Sequence, residues 1–146
     1  MPSYSAIFEP DRRGGFIVRI LEFPNIVTQA ESLSEAREMA IDAVRTFFLG
    51  QIATGAPIPE PRRITRTKNR AIHRIALPAL DSAKIALYRL FLSSGLRKAQ
   101  LARQIGIPRT HIDRLFDLRH ASRLDQIEAA FAALGHQLVI SAKSAA

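Results

Sequence analysis

Within Arg109-Thr110-His111-Ile112-Asp113-Arg114, five of six side chains are polar, and four can read a base edge. Arginine donates two hydrogen bonds to guanine in the major groove, threonine touches a thymine methyl, and aspartate accepts from a cytosine amine. If the stretch is helical, Arg109, Thr110, Asp113 and Arg114 share its start and outer face, with His111 beside them. Asp113 repels phosphate, so it either reads a cytosine or orients Arg109 or Arg114. Arg97, Lys98 and Gln100 lie just upstream, and Arg119, His120 and Arg123 just downstream. These suit phosphate oxygens, which fix register without selecting sequence.

Other chemistry finds less support. Glu9, Asp11 and Glu22 lie near strand-like segments, but a two-metal nuclease needs several carboxylates converging on ions about 4 Å apart. Glu9 and Asp11 fall on or beside a turn, and no further inward carboxylate is evident, so solvation accounts for them. His73, His111, His120 and His136 lack metal-ligand spacing, and no serine beside them forms a nucleophile motif. There is no cysteine, which excludes disulfides and thiolate metal sites. Gly14-Gly15 lacks the rest of any nucleotide-binding loop and reads as a turn. No enzyme activity, metal or cofactor is expected.

The base-reading residues need a scaffold, and Lys98–Leu115 supplies its pattern. Leu101, Ile105, Ile107, Ile112 and Leu115 are apolar, and Ala102 and Gly106 are small. Two helices crossing steeply need a small residue at closest approach, here Ala102, onto which Ile112 packs. The turn between them needs a residue tolerant of positive φ, here Gly106. Leu101, Ile105 and Leu115 should bury against the preceding helix, and Pro108 suits a helix start. Together these seven positions resemble the helix–turn–helix of the Cro/repressor (XRE-like) class over residues 81–135. One such helix reads few base pairs, so a homodimer or higher even oligomer is expected, with recognition helices about 34 Å apart on duplex operator DNA.

Charge divides the chain. Residues 1–60 hold 5 Lys/Arg against 8 Asp/Glu, a net of −3; residues 61–146 hold 16 against 5, a net of +11. The basic half attracts polyanions and the acidic half suits a basic partner. No apolar run approaches the roughly 18 residues of a membrane span, and no signal-peptide pattern opens the chain, so the cytoplasm is expected.

The acidic half reads as strands at Ser3–Glu9, Phe16–Leu21 and Ile26–Gln29, with turns at Pro10–Gly15 and Phe23–Asn25. A helix follows, with Ser32 and Glu35 as a capping box and a stripe of Leu33, Ala36, Ala40, Ala43, Val44, Phe47 and Phe48. Residues 56–70 form a loop that starts proline-rich and ends with five basic residues, and Ala71–Leu77 is a fourth strand. The fold class is α+β, with a domain at 1–78 and an all-α domain at 79–146. In the second, Asp81 caps a helix running to Ser94, buried through Ile85, Leu87, Tyr88, Phe91 and Leu92. Helices Lys98–Ile105, Arg109–Leu118 and Leu124–Leu134 follow, Gly135 is a left-handed C-cap, and Gln137–Ala142 is an apolar tail that reads as a strand.

The words AIFEPDRRGGFIVRILE (Ala6–Glu22), Phe23-Pro24, Val27-Thr28-Gln29, Leu33–Ala40 and PIPEP (Pro57–Pro61), in this element order, resemble the HicB-type antitoxins over nearly the whole chain. The resemblance implies a first domain like a truncated, inactive ribonuclease-H fold. That domain would bind a small basic HicA-type toxin that cleaves messenger RNA, and the second would repress the operon. Opposite charge speeds such an encounter, making Glu9, Asp11, Glu31, Glu35 and Glu38 the toxin-facing candidates. The other reading is a stand-alone repressor whose first domain senses a ligand, which a neighbouring gene for a small basic protein would decide against.

Overall fold

Alternating β-branched and aromatic residues favour a pleated, half-buried surface, and the first three such runs form a meander. The computed structural model describes residues 3–67 and 69–145. Lys68, one of the basic residues expected in the loop, lies outside them, as do Met1, Pro2 and Ala146 at the domain ends. Strand β1 (Ser3–Pro10) pairs antiparallel with β2 (Phe16–Ile20), closing at Pro10 opposite Phe16. The intervening turn is held by the Asp11 N–H on the Gly15 carbonyl at 3.0 Å, with Gly14 and Gly15 at positive φ. Strand β3 (Val27–Ala30) adds antiparallel to β2, one residue later than its sequence suggests.

Helix α1 (Leu33–Ala53) begins at Ser32, whose hydroxyl accepts the Glu35 N–H at 3.1 Å. The reciprocal half of the expected capping box is shifted: the Glu35 carboxylate accepts from the N–H of Glu31, not of Ser32, at 2.8 Å. Ala36, Ala40, Val44 and Phe48 are fully buried, but Leu33 is 57% exposed and leaves the apolar stripe. It lies in the first helical turn. Strand β4 (His73–Ala76) returns to the free edge of β1, with Tyr4 opposite Ile75, giving a four-stranded sheet of order β3-β2-β1-β4. Tyr4, Ala6, Val18, Ile20 and Ile75 meet α1 in the core. Tyr4 and Phe23 pack around Phe48 with ring centroids 5.3 and 5.7 Å away.

Helix α2 (Ala79–Ser94) starts two residues before Asp81, so that aspartate is not its cap. It sits in the first turn, buried, and pairs with Arg45 of α1 at 2.6 Å. The chain divides inside α2, into compact units Met1–Ser82 and Ala83–Ala146. The second holds α3 (Lys98–Ile105), α4 (Arg109–Phe116) and α5 (Leu124–Ala133), with Gly135 at φ +77° after the last turn. Leu87, Leu101, Ile112, Leu115, Phe116, Ile127 and Ala130 form its core, with Tyr88 and Phe91 against Phe116. Leu92 faces outward. Residues 137–142 form no strand: Val139 and Ile140 are 77% and 68% exposed. β-Propensity alone cannot make a strand without a neighbour to bond. The architecture is mixed α+β, as the element order implies. Among the described residues no helix is long and apolar enough to cross a membrane.

Candidate nucleic-acid interface and acidic hollow

Three residues separate α3 from α4. Gly106 ends α3 at φ +83°, and its N–H and that of Ile107 both donate to the Ala102 carbonyl, at 2.9 and 3.0 Å. This doubly bonded left-handed cap reverses the chain within one turn. Pro108, at φ −58° and ψ 143°, is the residue from which α4 starts. Leu101, Ala102, Ile112 and Leu115 are buried, and Ile105 and Ile107 half-buried. Ile105 therefore contributes less to this core than its position in the pattern suggests.

With Ile112, Leu115 and Phe116 turned inward, Arg109, Thr110, His111, Asp113 and Arg114 are left exposed. Asp113 gathers cations from two helices: Lys98 of α3 at 2.5 Å and Arg109, one turn earlier in α4, at 3.7 Å. The amide oxygen of Gln100 accepts the N–H of Arg97 at 2.8 Å and so caps α3. Its amide nitrogen is a donor not used in that bond. Arg119 and Arg123 are exposed and paired with Asp117 and Asp125, at 3.2 and 2.9 Å. A small depression beside α4 is lined by His111, Arg114 and His120, together with Gln126, a residue that sequence reasoning passed over.

The Asp117 carboxyl is held below the usual carboxylate range. Partial burial opposes this, but the backbone N–H and side chain of Arg119 outweigh it, and the charge of Lys84 adds to them. A lowered folded-state pKa gives stability that is present above the unfolded-state value and lost as pH falls through the folded one. Asp117→Asn should therefore flatten the acid limb of unfolding of the second unit. Acid titration of the full chain followed by amide resonances of α3 and α4 checks this; an unchanged limb refutes it.

Lys84 belongs to no sequence motif, yet its side chain is fully buried in the second unit. Its ammonium donates to the carbonyls of Arg114, Asp117 and His120, at 2.9, 2.7 and 2.5 Å. The signal was available: residues 84, 87, 88 and 91 share one helix face, and the other three are apolar.

In the first unit, Asp11, Glu31 and Glu35 converge with Arg13, Gly14, Phe16, Gln29 and Ala30 around an open hollow of about 430 Å³. Glu9 and Glu38 do not line it: Glu9 pairs with Arg19 across the β1–β2 hairpin at 3.3 Å, and Glu38 is exposed on α1. Glu22 is structural. Both of its carboxylate oxygens accept the Ser5 N–H, at 3.0 and 2.9 Å, continuing the β1 ladder where β2 stops. His73 stacks on Phe8 at 4.1 Å. Among the described residues no three His, Asp or Glu side chains are placed to hold a metal ion.

Residues 3–86 match the protein family described as HicB_like antitoxin of bacterial toxin-antitoxin system. The chain belongs to this family. Antitoxin HicB of Escherichia coli K12 is 36% identical over 135 residues, 92% of this chain and 95% of that one. Antitoxin HicB 1 of Photorhabdus laumondii is 31% identical over 138 residues, 94% and 85% of the two chains. Antitoxin HicB of Pseudomonas fluorescens is 33% identical over 124 residues, 85% and 83%. Similarity to HicB antitoxins thus runs past the sheet and α1 into the helical unit. These relatives are antitoxins and not enzymes.

Proposed function

We propose that this antitoxin acts in the cytoplasm as both toxin inhibitor and autorepressor. Its first unit binds a basic HicA-type toxin that cleaves messenger RNA, and its second binds operator DNA as a homodimer or higher even oligomer. The observation carrying the DNA half is the two-sided character of α4. Three apolar residues anchor it, and Arg109, Thr110, His111, Asp113 and Arg114 cover the exposed side, next to a glycine turn and a small crossing residue. That is the geometry a recognition helix requires. Arg97, Lys98, Gln100, Arg119 and Arg123 flank it as phosphate contacts.

A footprint of the full chain on its own promoter should cover an inverted repeat, and equal affinity for random duplex removes the repressor function. Arg114→Ala should weaken cognate binding by about 1–3 kcal/mol while barely changing binding to random DNA, as for a bidentate base contact. A uniform loss on both duplexes makes Arg114 a phosphate contact instead.

Support for the toxin half comes from family membership and from the acidic hollow of Asp11, Glu31 and Glu35. Asp11→Lys with Glu31→Lys in the full chain should slow association with the toxin by about tenfold or more at low salt, because complementary charge acts mainly on the encounter rate. Unchanged association kinetics would move the toxin contact to another surface.

A further inference from the structure

We propose that Lys84 is a positioning residue for DNA reading, and that its buried ammonium, not merely its bulk, sets the orientation of α4. This rests on the DNA-binding function proposed above. The carbonyls at a helix C-terminus have no partners within the helix, and that end carries partial negative charge that a cation favours. Lys84 meets both needs at once. A lysine ammonium has three N–H donors and no acceptor, and all three reach carbonyls at or beyond the end of α4, those of Arg114, Asp117 and His120. Ser122 adds a second donor to the Arg114 carbonyl at 3.2 Å.

The bonded positions are those that matter for recognition. Arg114 presents its side chain on the exposed side of α4 while its carbonyl is tied to α2. His120 lies in the loop between Arg119 and Arg123, so the same ammonium fixes the segment bearing these flanking cations. Three bonds converging on one atom define where the end of α4 sits, which an apolar side chain of equal length, being non-directional, cannot do. A base-reading group must be held to within about half an ångström, whereas a phosphate contact tolerates more. Loss of the ammonium should therefore erode discrimination between sites more than it erodes affinity for DNA in general.

The absence of native cysteine permits a direct test. In Lys84→Cys the single thiol is alkylated in the unfolded chain, with 2-bromoethylamine or with 1-bromopropane, and the chain is refolded. The first thioether restores an ammonium at the length of lysine; the second matches its volume without the charge. The readout is the ratio of affinities for the footprinted operator and a random duplex at fixed salt. The aminoethyl chain should stay within about twofold of the unaltered ratio and the propyl chain should lose about tenfold, the scale of one base contact. Equal ratios for the two overturn the proposal. If the propyl chain does not refold, the unaltered chain decides. The Lys84 ammonium should give a slowly exchanging resonance, coupled through hydrogen bonds to the three carbonyl carbons. A rapidly exchanging ammonium without those couplings overturns the proposal. Failure of the unaltered chain to prefer its operator is a separate result, which removes the DNA-binding function and this inference with it.

Discussion

Phe48→Ala is expected to lower the stability of the sheet unit by about 3–5 kcal/mol, the usual cost of emptying a buried aromatic site. Phe48 is fully buried, and the rings of Tyr4, Phe23 and Phe47 lie 5.3, 5.7 and 5.8 Å from its own. Tyr4 is in β1, Phe23 in the turn before β3, and Phe47 and Phe48 on α1, so the deletion loosens three parts of the sheet–helix contact together. Rigid aromatic neighbours close a void poorly, which favours the upper part of the range. A domain typically has about 5–15 kcal/mol in hand. Urea unfolding of the full chain should show one transition moved strongly to lower denaturant, with resonances of α3 to α5 little changed. A shift of under about 1 kcal/mol would show that the cluster repacks, as cores sometimes do after small volume changes.

Gly15→Ala should be nearly as damaging for a different reason. A Cβ at Gly15 would lie 2.4 Å from the Ala30 carbonyl oxygen and 3.3 Å from the Glu31 Cα. Both are backbone atoms and cannot rotate away. Overpacking costs about 1–3 kcal/mol, and a positive φ adds about 1–2 for a residue with a Cβ. Gly14→Ala is the internal comparison, because that position has positive φ but open space around it and should show only the smaller cost. Since Ala30 and Glu31 line the acidic hollow, Gly15→Ala should also weaken the proposed toxin binding more than Gly14→Ala does. Chemical denaturation and toxin titration of the two chains check both parts; equal stabilities would mean that β3 yields without cost.

Local chemistry made most of the architecture legible. Turn glycines, the Ser32 cap, the alanine-rich face of α1 and the left-handed Gly106 each follow from neighbours within a few residues, and each is found in place. What escaped depends on partners distant in sequence. Asp81 reads as a helix cap, but α2 starts two residues before it and its carboxylate pairs with Arg45 of α1. Residues 137–142 have the composition of a strand but no ladder to join. Leu33 and Leu92 keep helical spacing but stay partly exposed, at 57% and 37%. The carboxylates were legible only as a charge balance. That Asp11, Glu31 and Glu35 line one hollow while Glu9 and Glu38 do not depends on how the β1–β2 turn lies beside the start of α1. Lys84 is the reverse case, a polar residue on an apolar face whose register marked it as buried.

The carboxylates of Asp113, Asp117 and Asp125 act as built-in counter-ions for the cations that would meet DNA. Each lysine or arginine so engaged already has an anionic partner, and a phosphate would have to compete with the carboxylate to claim it. Affinity should then depend on ionic strength less steeply than the tally of basic side chains implies. On the proposed DNA-binding function, aimless sliding along the genome would be weakened, while a duplex that also satisfies the outward face of α4 would lose little.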